Sequence, residues 1–314
     1  MDVIVTEGLR KSFGRIPALD GLSLSVAEGS VFGFLGPNGA GKTTTIRILV
    51  GLARAAAGRA TVAGIDTQSH PERLGWEIGY LPEEPSFYTW MTPREFLDYV
   101  GQIFRLRQRE RANRTQELLE LVGLTDVARR RIGGFSRGMR QRLGIAQALV
   151  NRPRVLFLDE PVSALDPMGR KEVLDLIARL SGQCTVFLSS HILADVERVC
   201  DTVGIIAQGR LVVSARKDDL LARYAMPAFE VELEPGGEEG LRRWAEGLRG
   251  LPWVRSVASP GLTARIVVDD IARAQRELLP LLLQAGGAIV RYEMVRPSLE
   301  EVFLQLVGDA GGAP

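Results

Sequence analysis

A glycine-rich run with one lysine and two threonines gives the first indication of chemistry in this chain. The run reads Gly36, Pro37, Asn38, Gly39, Ala40, Gly41, Lys42, Thr43 and Thr44. Glycines at this spacing let consecutive backbone N–H groups turn inward and approach a phosphate that side chains would block. We predict that Lys42 reaches the β and γ phosphates of a nucleoside triphosphate, that the Thr43 hydroxyl ligates Mg²⁺, and that Thr44 supports nearby phosphate oxygens. The alternative is a chance glycine-rich turn before a core helix.

Two carboxylates and a histidine stand directly after apolar runs later in the chain. Asp159 and Glu160 follow the run 155–158, and His191 follows the run 185–188 after two serines. Downstream of a phosphate-binding loop, we predict that Asp159 holds Mg²⁺ and that Glu160 polarises the attacking water. From its strand end, His191 can reach a γ-phosphate. On these residues alone the alternatives stay open: ordinary solvation of a strand end, and a structural histidine.

The hydrophobic pattern predicts the elements that must hold these groups. An apolar strand at 31–35 precedes the glycine-rich loop, and Ile46, Leu49 and Val50 follow it at helical spacing. Continuous apolar runs such as 155–158 are typical of buried parallel strands, whose carboxyl ends form the ligand-binding edge of an α/β sheet. Further strands are predicted at 3–6 and 22–26, and another begins at Ile78 and ends in a loop by Glu84. Helices are predicted at 92–104, 111–122 and 135–150, the first of them opened by a capping box of Thr92 and Glu95. A last helix of this part of the chain is capped by Asp166.

Composition restricts the class of protein. The chain has 314 residues, which suits two domains, and a formal net charge of +1, which gives no bulk attraction to nucleic acid. Cys184 and Cys200 lack metal-ligand spacing, so we expect buried free thiols, with a disulfide as the unsupported alternative. No run of 18 apolar residues occurs. We expect a cytoplasmic chain that relies on another polypeptide for any membrane span.

Over residues 1–220 the sequence resembles the ATP-binding subunit of an ATP-binding cassette (ABC) transporter. Besides the glycine-rich Walker A loop and the Walker B pair Asp159 and Glu160, the family has an aromatic A-loop, a Q-loop, a signature motif, a D-loop and an H-loop in a set order. The matching positions here are Phe13 (A-loop), Glu83 (Q-loop), residues 135–139 with Ser136 and Gly138 (signature), Ser163, Ala164, Leu165 and Asp166 (D-loop), and His191 (H-loop). The resemblance implies a P-loop NTPase fold, with a RecA-like core, an antiparallel β subdomain and a helical subdomain at about 84–150.

The resemblance also implies cofactors and roles. ATP would lie on Phe13 and the Walker A loop, Mg²⁺ on Thr43, Asp159 and Glu83, and catalysis would fall to Glu160, His191 and Lys42. A homodimer would sandwich each ATP between the Walker A loop of one copy and Ser136 and Gly138 of the other.

Two departures from the common family pattern narrow the resemblance. Arg137 and Met139 replace a glycine and a glutamine of the signature motif, and Glu83 replaces the usual Q-loop glutamine. Ionised Glu83 accepts hydrogen bonds but cannot donate them, so its contacts must differ. Both departures resemble the efflux ATPases of the daunorubicin-resistance type.

Residues 221–314 predict a smaller α+β accessory domain. The pattern gives a strand (229–233), a helix (239–248), two strands (254–258 and 263–268), a helix (271–283) and a strand (288–294), a ferredoxin-like order. A capping box at Ser298 opens a last helix that ends at Gly308. A regulatory role, a dimer-stabilising role and plain packing against the first domain all remain open.

The functional hypothesis is an ATPase subunit that powers export through a separate integral membrane permease, at the cytoplasmic face of the cell membrane. Drugs, lipids, polysaccharides and ions are the substrate classes of such exporters. The alternatives are a soluble ABC ATPase acting on ribosomes or nucleic acid, the ATPase subunit of an importer, and a nucleotide-gated regulator. We expect the permease to contact the surface around residues 83–88, including Phe87 and Tyr88.

Overall fold

The chain folds into two compact units, one of residues Met1–Lys217 and one that begins at Asp218. The structure is a computed structural model and describes residues 1–224, 227–284, 286–295, 298–300 and 302–303. The strands of the first unit are β1 (Asp2–Phe13), β2 (Ile16–Ala27), β3 (Val31–Leu35), β4 (Ala57–Val62), β5 (Ile65–Asp66), β6 (Ile78–Leu81), β7 (Val155–Leu158), β8 (Thr185–Ser190), β9 (Thr202–Ala207) and β10 (Arg210–Arg216). Its helices are α1 (Lys42–Leu49), α2 (Pro71–Glu77), α3 (Pro93–Ile103), α4 (Gln108–Leu121), α5 (Arg137–Ala148), α6 (Pro167–Leu180) and α7 (Leu193–Val199), and α8 (Lys217–Tyr224) spans the boundary.

A six-stranded sheet with the order β10-β9-β3-β8-β7-β6 forms the core of the first unit. Strands β6 to β9 and β3 are parallel, and β10 pairs antiparallel with β9. Every residue of β3, β7 and β8 is buried, as the continuous apolar runs predict. Phe32, Phe157 and Phe187 lie on three neighbouring strands, with ring centroids 5.2 and 5.6 Å from the central Phe187 ring. The predicted α/β fold is confirmed.

An antiparallel sheet, ordered β2-β1-β4-β5, forms the second layer of this unit. The hairpin of β1 and β2 turns at Gly14, whose φ of +60° suits glycine. The two strands are twice as long or more than the predicted segments 3–6 and 22–26, so Phe13 is the last residue of a strand. Cross-strand hydrogen bonds extend them through polar positions that carry no apolar signal.

Helices α3, α4 and α5 form the predicted helical part. The capping box at the start of α3 is present: Glu95 N–H donates to the Thr92 hydroxyl at 3.3 Å, and Thr92 N–H donates to the Glu95 carboxylate at 2.8 Å. Helix α4 begins three residues before the predicted Arg111. Asp166 occupies the predicted N-cap position of α6, but its side chain makes no capping hydrogen bond. The predicted helix start is confirmed, and the predicted cap by this side chain is wrong.

The second unit has the predicted βαββαβ order. Its elements are β11 (Ala228–Leu233), α9 (Glu238–Leu248), β12 (Val254–Ala258), β13 (Thr263–Val268), α10 (Ile271–Leu283) and β14 (Ile289–Val295). The sheet order β12-β13-β11-β14 is antiparallel throughout and corresponds to a ferredoxin-like fold. Residues 299–300 and 302–303 are helical, while most of the last predicted helix, 298–308, lies outside the described residues.

Both cysteines are buried free thiols, as predicted, and burial raises the pKa of Cys184 to about 11. Among the helices of the described residues, none is long and apolar enough to cross a lipid bilayer.

Candidate functional site

The glycine-rich loop connects the carboxyl end of β3 to the first residue of α1. Gly39 and Gly41 have φ angles of +80° and +109°, in the left-handed region that side chains disfavour. A Cβ atom on Gly36 would lie 2.4 Å from the carbonyl oxygen of Ile206. The loop is therefore packed against the sheet and depends on glycine at these positions.

Lys42 is held at the base of the loop. Its side chain is 6% exposed, and its Nζ donates to the carbonyl oxygens of Gly36 at 2.7 Å and Pro37 at 3.3 Å. The same ammonium lies 3.2 Å from Oε1 of Glu160. Lys42 is thus a buried cation at the first residue of a helix and next to a glycine-rich loop. Such an environment suits phosphate.

Glu160 joins the lysine to the predicted histidine. Its other oxygen, Oε2, lies 2.9 Å from Nδ1 of His191. The residue has a φ of +47°, an uncommon conformation for a residue with a side chain, in the turn that follows β7. Strands β3, β7 and β8 thus bring Lys42, Glu160 and His191 together from three distant parts of the sequence.

Asp159 lies next to the Thr43 hydroxyl. Its Oδ1 accepts hydrogen bonds from Thr43 at 3.2 Å and from Ser189 at 2.7 Å. Burial raises the pKa of Asp159, and these two hydrogen bonds oppose the rise. A buried carboxylate paired with a hydroxyl group fits a hard cation such as Mg²⁺. Among the described residues no group of three or more His, Cys, Asp or Glu residues could hold a metal ion.

Lys42, Glu160 and His191 line a cavity of about 450 Å³, within the range of small-molecule sites, whereas the predicted site residues Gly36, Pro37, Ala40 and Asp159 do not line it. Phe13 stands at its rim with 57% of its surface exposed, and the ammonium of Lys11 lies 5.4 Å from its ring centroid. The predicted site residues that line the cavity are Phe13, Asn38, Gly39, Gly41, Lys42, Thr43, Thr44, Glu83, Glu160, Ser163 and His191.

The signature residues lie elsewhere in the described structure. Ser136 and Gly138 do not line the cavity. Ser136 is the N-cap of α5, where its hydroxyl accepts a hydrogen bond from the N–H of Met139 at 3.2 Å. Of the predicted D-loop residues, only Ser163 reaches the cavity, and Ala164, Leu165 and Asp166 do not. One copy of the chain therefore brings together the Walker residues without the signature motif.

Ser189 is a residue of this site to which the sequence assigned no role. It is fully buried and contacts both Asp159 and the backbone of Glu160. The only signal was its place two residues before His191, since the apolar run ends at Leu188 while strand β8 continues to Ser190.

Comparison with known proteins covers both units. Residues 19–163 match the ABC transporter family, and residues 217–307 match the family of the DrrA1-3-like ATP-binding protein C-terminal domain. The ABC transporter ATP-binding protein YxlF of Bacillus subtilis (strain 168) is 39% identical over 301 residues, covering 96% of this chain and 98% of the relative. The daunorubicin resistance ATP-binding protein DrrA3 of Streptomyces coeruleorubidus is 36% identical over 307 residues, covering 98% and 96%. A solved ATP-binding subunit of an ABC transporter is similar with a TM-score of 0.64 at 28% identity, covering 71% of this chain and 93% of that one.

Proposed function

The chain belongs to the ATP-binding proteins of ABC transporters and hydrolyses ATP, and from this premise we propose that it powers export of a small molecule through a separate membrane-spanning subunit. The cluster of Lys42, Glu160 and His191 at the wall of the cavity is the observation that supports these residues as the ones that hydrolyse ATP. Similarity to DrrA3 over nearly the whole chain supports export of a drug-like compound, because that relative is a resistance protein.

The proposed hydrolysis follows from the positions of these side chains. The adenine ring stacks on the exposed face of Phe13 at the cavity rim, and the phosphates lie against the backbone of the glycine-rich loop. Lys42 exchanges its contact with Glu160 for the β and γ phosphates. Glu160, freed from the ammonium and still held by His191, accepts a proton from the attacking water.

Mg²⁺ would be held by Thr43 and Asp159 and, when bound, would neutralise charge on the β and γ phosphates. Glu83 lines the same cavity and is a further acceptor on its open side. Because its carboxylate makes no ion pair with any described residue, it is available for a metal-bound water or for the ion itself.

A second copy of the chain completes this site in our proposal. Ser136 and the first turn of α5 carry a hydroxyl and backbone N–H groups, and Ser136 and Gly138 do not line the cavity of their own chain. The amino end of a helix favours an anion, so the γ-phosphate of the other copy is the suitable partner. Hydrolysis would remove this shared contact and let the copies separate.

The proposed contact surface for the membrane subunit is the aromatic cluster of Tyr88, Trp90 and Tyr99. Their rings contact one another, with the Tyr88 centroid 5.0 Å from Trp90 and 5.9 Å from Tyr99, and each side chain is at least 40% exposed. Phe87 is half-buried, with its ring centroid 5.2 Å from that of Phe96. Exposed aromatic groups of this density are typical of protein–protein contacts.

The test is purification of the tagged Glu160→Gln variant from native membranes with and without ATP. We expect an integral membrane protein to co-purify, and we expect Trp90→Glu to abolish this while ATP binding is retained. Leu52→Glu is the matched control, since Leu52 is an equally exposed apolar residue, at 68% against 66%. Co-purification of ribosomes or nucleic acid in place of a membrane protein would refute the transport proposal.

The direction of transport needs a second measurement. Inside-out membrane vesicles that contain the chain and its partner should accumulate the compound on addition of ATP if the subunit powers export. Loss of preloaded compound from the same vesicles on addition of ATP would indicate import.

A further inference from the structure

We propose that Ser189 is a positioning residue for ATP hydrolysis, and that its one hydroxyl aligns both the carboxylate of Asp159 and the backbone of Glu160. The inference rests on the proposed roles of these two acidic residues. Ser189 itself would touch neither the nucleotide nor the metal ion.

The two hydrogen bonds of the Ser189 hydroxyl have a defined direction. Ser189 Oγ donates its only proton to Oδ1 of Asp159 at 2.7 Å. It must therefore act as acceptor towards the N–H of Glu160, which lies 2.9 Å away. Because the side chain is 0% exposed, water cannot take over either contact.

The hydroxyl replaces a backbone contact that the sheet no longer supplies. Pairing of β7 with β8 ends at Leu158 and Leu188, one residue before Ser189. Asp159 N–H still donates to the carbonyl oxygen of Leu81 on the other side. The next N–H, that of Glu160, makes no hydrogen bond of the sheet, because the chain turns there; it donates to the Ser189 hydroxyl instead.

That turn determines where the Glu160 carboxylate points. A φ of +47° is sparsely populated by residues with a side chain and persists only when surrounding contacts hold it. On the backbone, the Ser189 hydroxyl accepts the Glu160 N–H, and the Ser163 N–H donates to the Glu160 carbonyl oxygen at 3.1 Å; Lys42 and His191 contact the carboxylate. When Lys42 turns to phosphate, the backbone contact to Ser189 remains and keeps the base in position.

The Asp159 carboxylate is also held by Ser189. Its Oδ1 has two donors, Thr43 and Ser189. Ligation of Mg²⁺ would use a lone pair of the Thr43 oxygen and leave its proton able to donate, so it would not replace the contact from Ser189. Ser189 gives the shorter of the two hydrogen bonds, 2.7 Å against 3.2 Å, and so restrains the direction of the carboxylate more closely.

The test compares Ser189→Ala, Ser189→Cys and Thr185→Val in the full chain. Thr185 is the matched control: it is 1% exposed, lies on the same strand, and its hydroxyl accepts one N–H, that of Gly29, at 2.8 Å at the far end. Ser189→Cys keeps the size of the side chain but forms only weak hydrogen bonds, which separates packing from positioning.

We expect both Ser189 variants to need about 10-fold more Mg²⁺ for half-maximal hydrolysis and to lose about 10- to 100-fold in kcat. In a measurement that is independent of turnover, titration with a fluorescent ATP analogue should show that added Mg²⁺ strengthens binding less than in the parent chain, while affinity in EDTA is unchanged. Thr185→Val should lower the melting temperature without changing the Mg²⁺ dependence.

The proposal is wrong if the Ser189 variants behave like Thr185→Val, losing stability while the Mg²⁺ dependence and kcat are retained. It is also wrong if Ser189→Cys is fully active, because shape alone would then suffice. Failure of the proposed export is distinguishable, since it would show as no membrane protein co-purifying with the chain, whereas the Ser189 measurements need only the chain, ATP and Mg²⁺.

Discussion

Replacing Glu160 with glutamine tests how the free protein restrains its own lysine. The change keeps the shape of the side chain and removes a negative charge that lies 3.2 Å from Nζ of Lys42 and 2.9 Å from Nδ1 of His191. At an effective dielectric constant of about 20, two unit charges 3.2 Å apart attract each other by about 5 kcal/mol. Desolvation and the two carbonyl contacts of Lys42 offset most of this attraction, so the net loss should be that of one charged hydrogen bond, about 1.5–3 kcal/mol.

Three results should follow from this single loss. The free energy of unfolding of the free protein should fall by about 1.5–3 kcal/mol, because Lys42 keeps its burial and loses its counter-charge. ATP should bind more tightly, by about 10-fold for each 1.4 kcal/mol no longer spent on separating Lys42 from Glu160. Hydrolysis should fall by about 10²- to 10⁴-fold, because an amide is a poor proton acceptor.

The assays are urea unfolding without nucleotide, titration with a fluorescent ATP analogue in EDTA, and steady-state phosphate release. Glu83→Gln is the control, because it removes an equal charge from the same cavity without breaking an ion pair to a described residue. It should leave the free energy of unfolding within about 0.5 kcal/mol of the parent value. If Glu160→Gln abolishes turnover but leaves stability and ATP affinity unchanged, the Lys42–Glu160 restraint is refuted. Unchanged turnover would refute the assignment of Glu160 as the base.

The remaining predictions concern stability and nucleotide contact. Asp159→Asn should raise the free energy of unfolding of the free protein at neutral pH, because burial raises the pKa of this carboxyl and so makes its ionised form unfavourable in the fold. The stability difference between Asp159→Asn and the parent should shrink as the pH falls through the folded-state pKa, because the parent carboxyl then binds a proton. If urea unfolding shows the same stability difference at every pH, this prediction is contradicted. Phe13→Ala should weaken ATP binding by about 1–3 kcal/mol in calorimetry while Phe13→Trp retains it, and equal affinities for all three chains would exclude stacking. Arg170→Met should destabilise the protein by about 2–3 kcal/mol in urea unfolding, because it leaves the carboxylate of Asp195, 2.7 Å from the guanidinium and only 2% exposed, buried without its partner. Stability within about 0.5 kcal/mol of the parent would show that the pair is solvated.

The local parts of the site were predictable because their signals are contiguous in the sequence. The glycine spacing before Lys42 predicts a phosphate loop within nine residues, and the apolar run before Asp159 specifies a buried strand and its end. In the second unit, apolar periodicity placed the helices and strands to within one residue at most ends. Each of these features depends on neighbours in the chain.

Other elements gave too little local signal. Strand β4 contains a glycine and an arginine, and β10 begins and ends with arginine, so neither has the apolar run of a buried strand. They are strands because β1 and β9 pair with them through the backbone. The long hairpin that carries Phe13 to the cavity was underestimated for the same reason.

The sequence by itself determined the family and the P-loop fold, and it predicted which residues would contact phosphate, metal and water. Only the tertiary structure decided their contacts: Lys42 paired with Glu160, Glu160 in a left-handed turn, and Ser189 bonded to both acidic residues. Those contacts join β3, β7 and β8, which are more than 25 residues apart from one another along the chain and meet only through the register of a parallel sheet. Residue types and spacing act locally, whereas the direction of a buried hydrogen bond depends on which strands become neighbours.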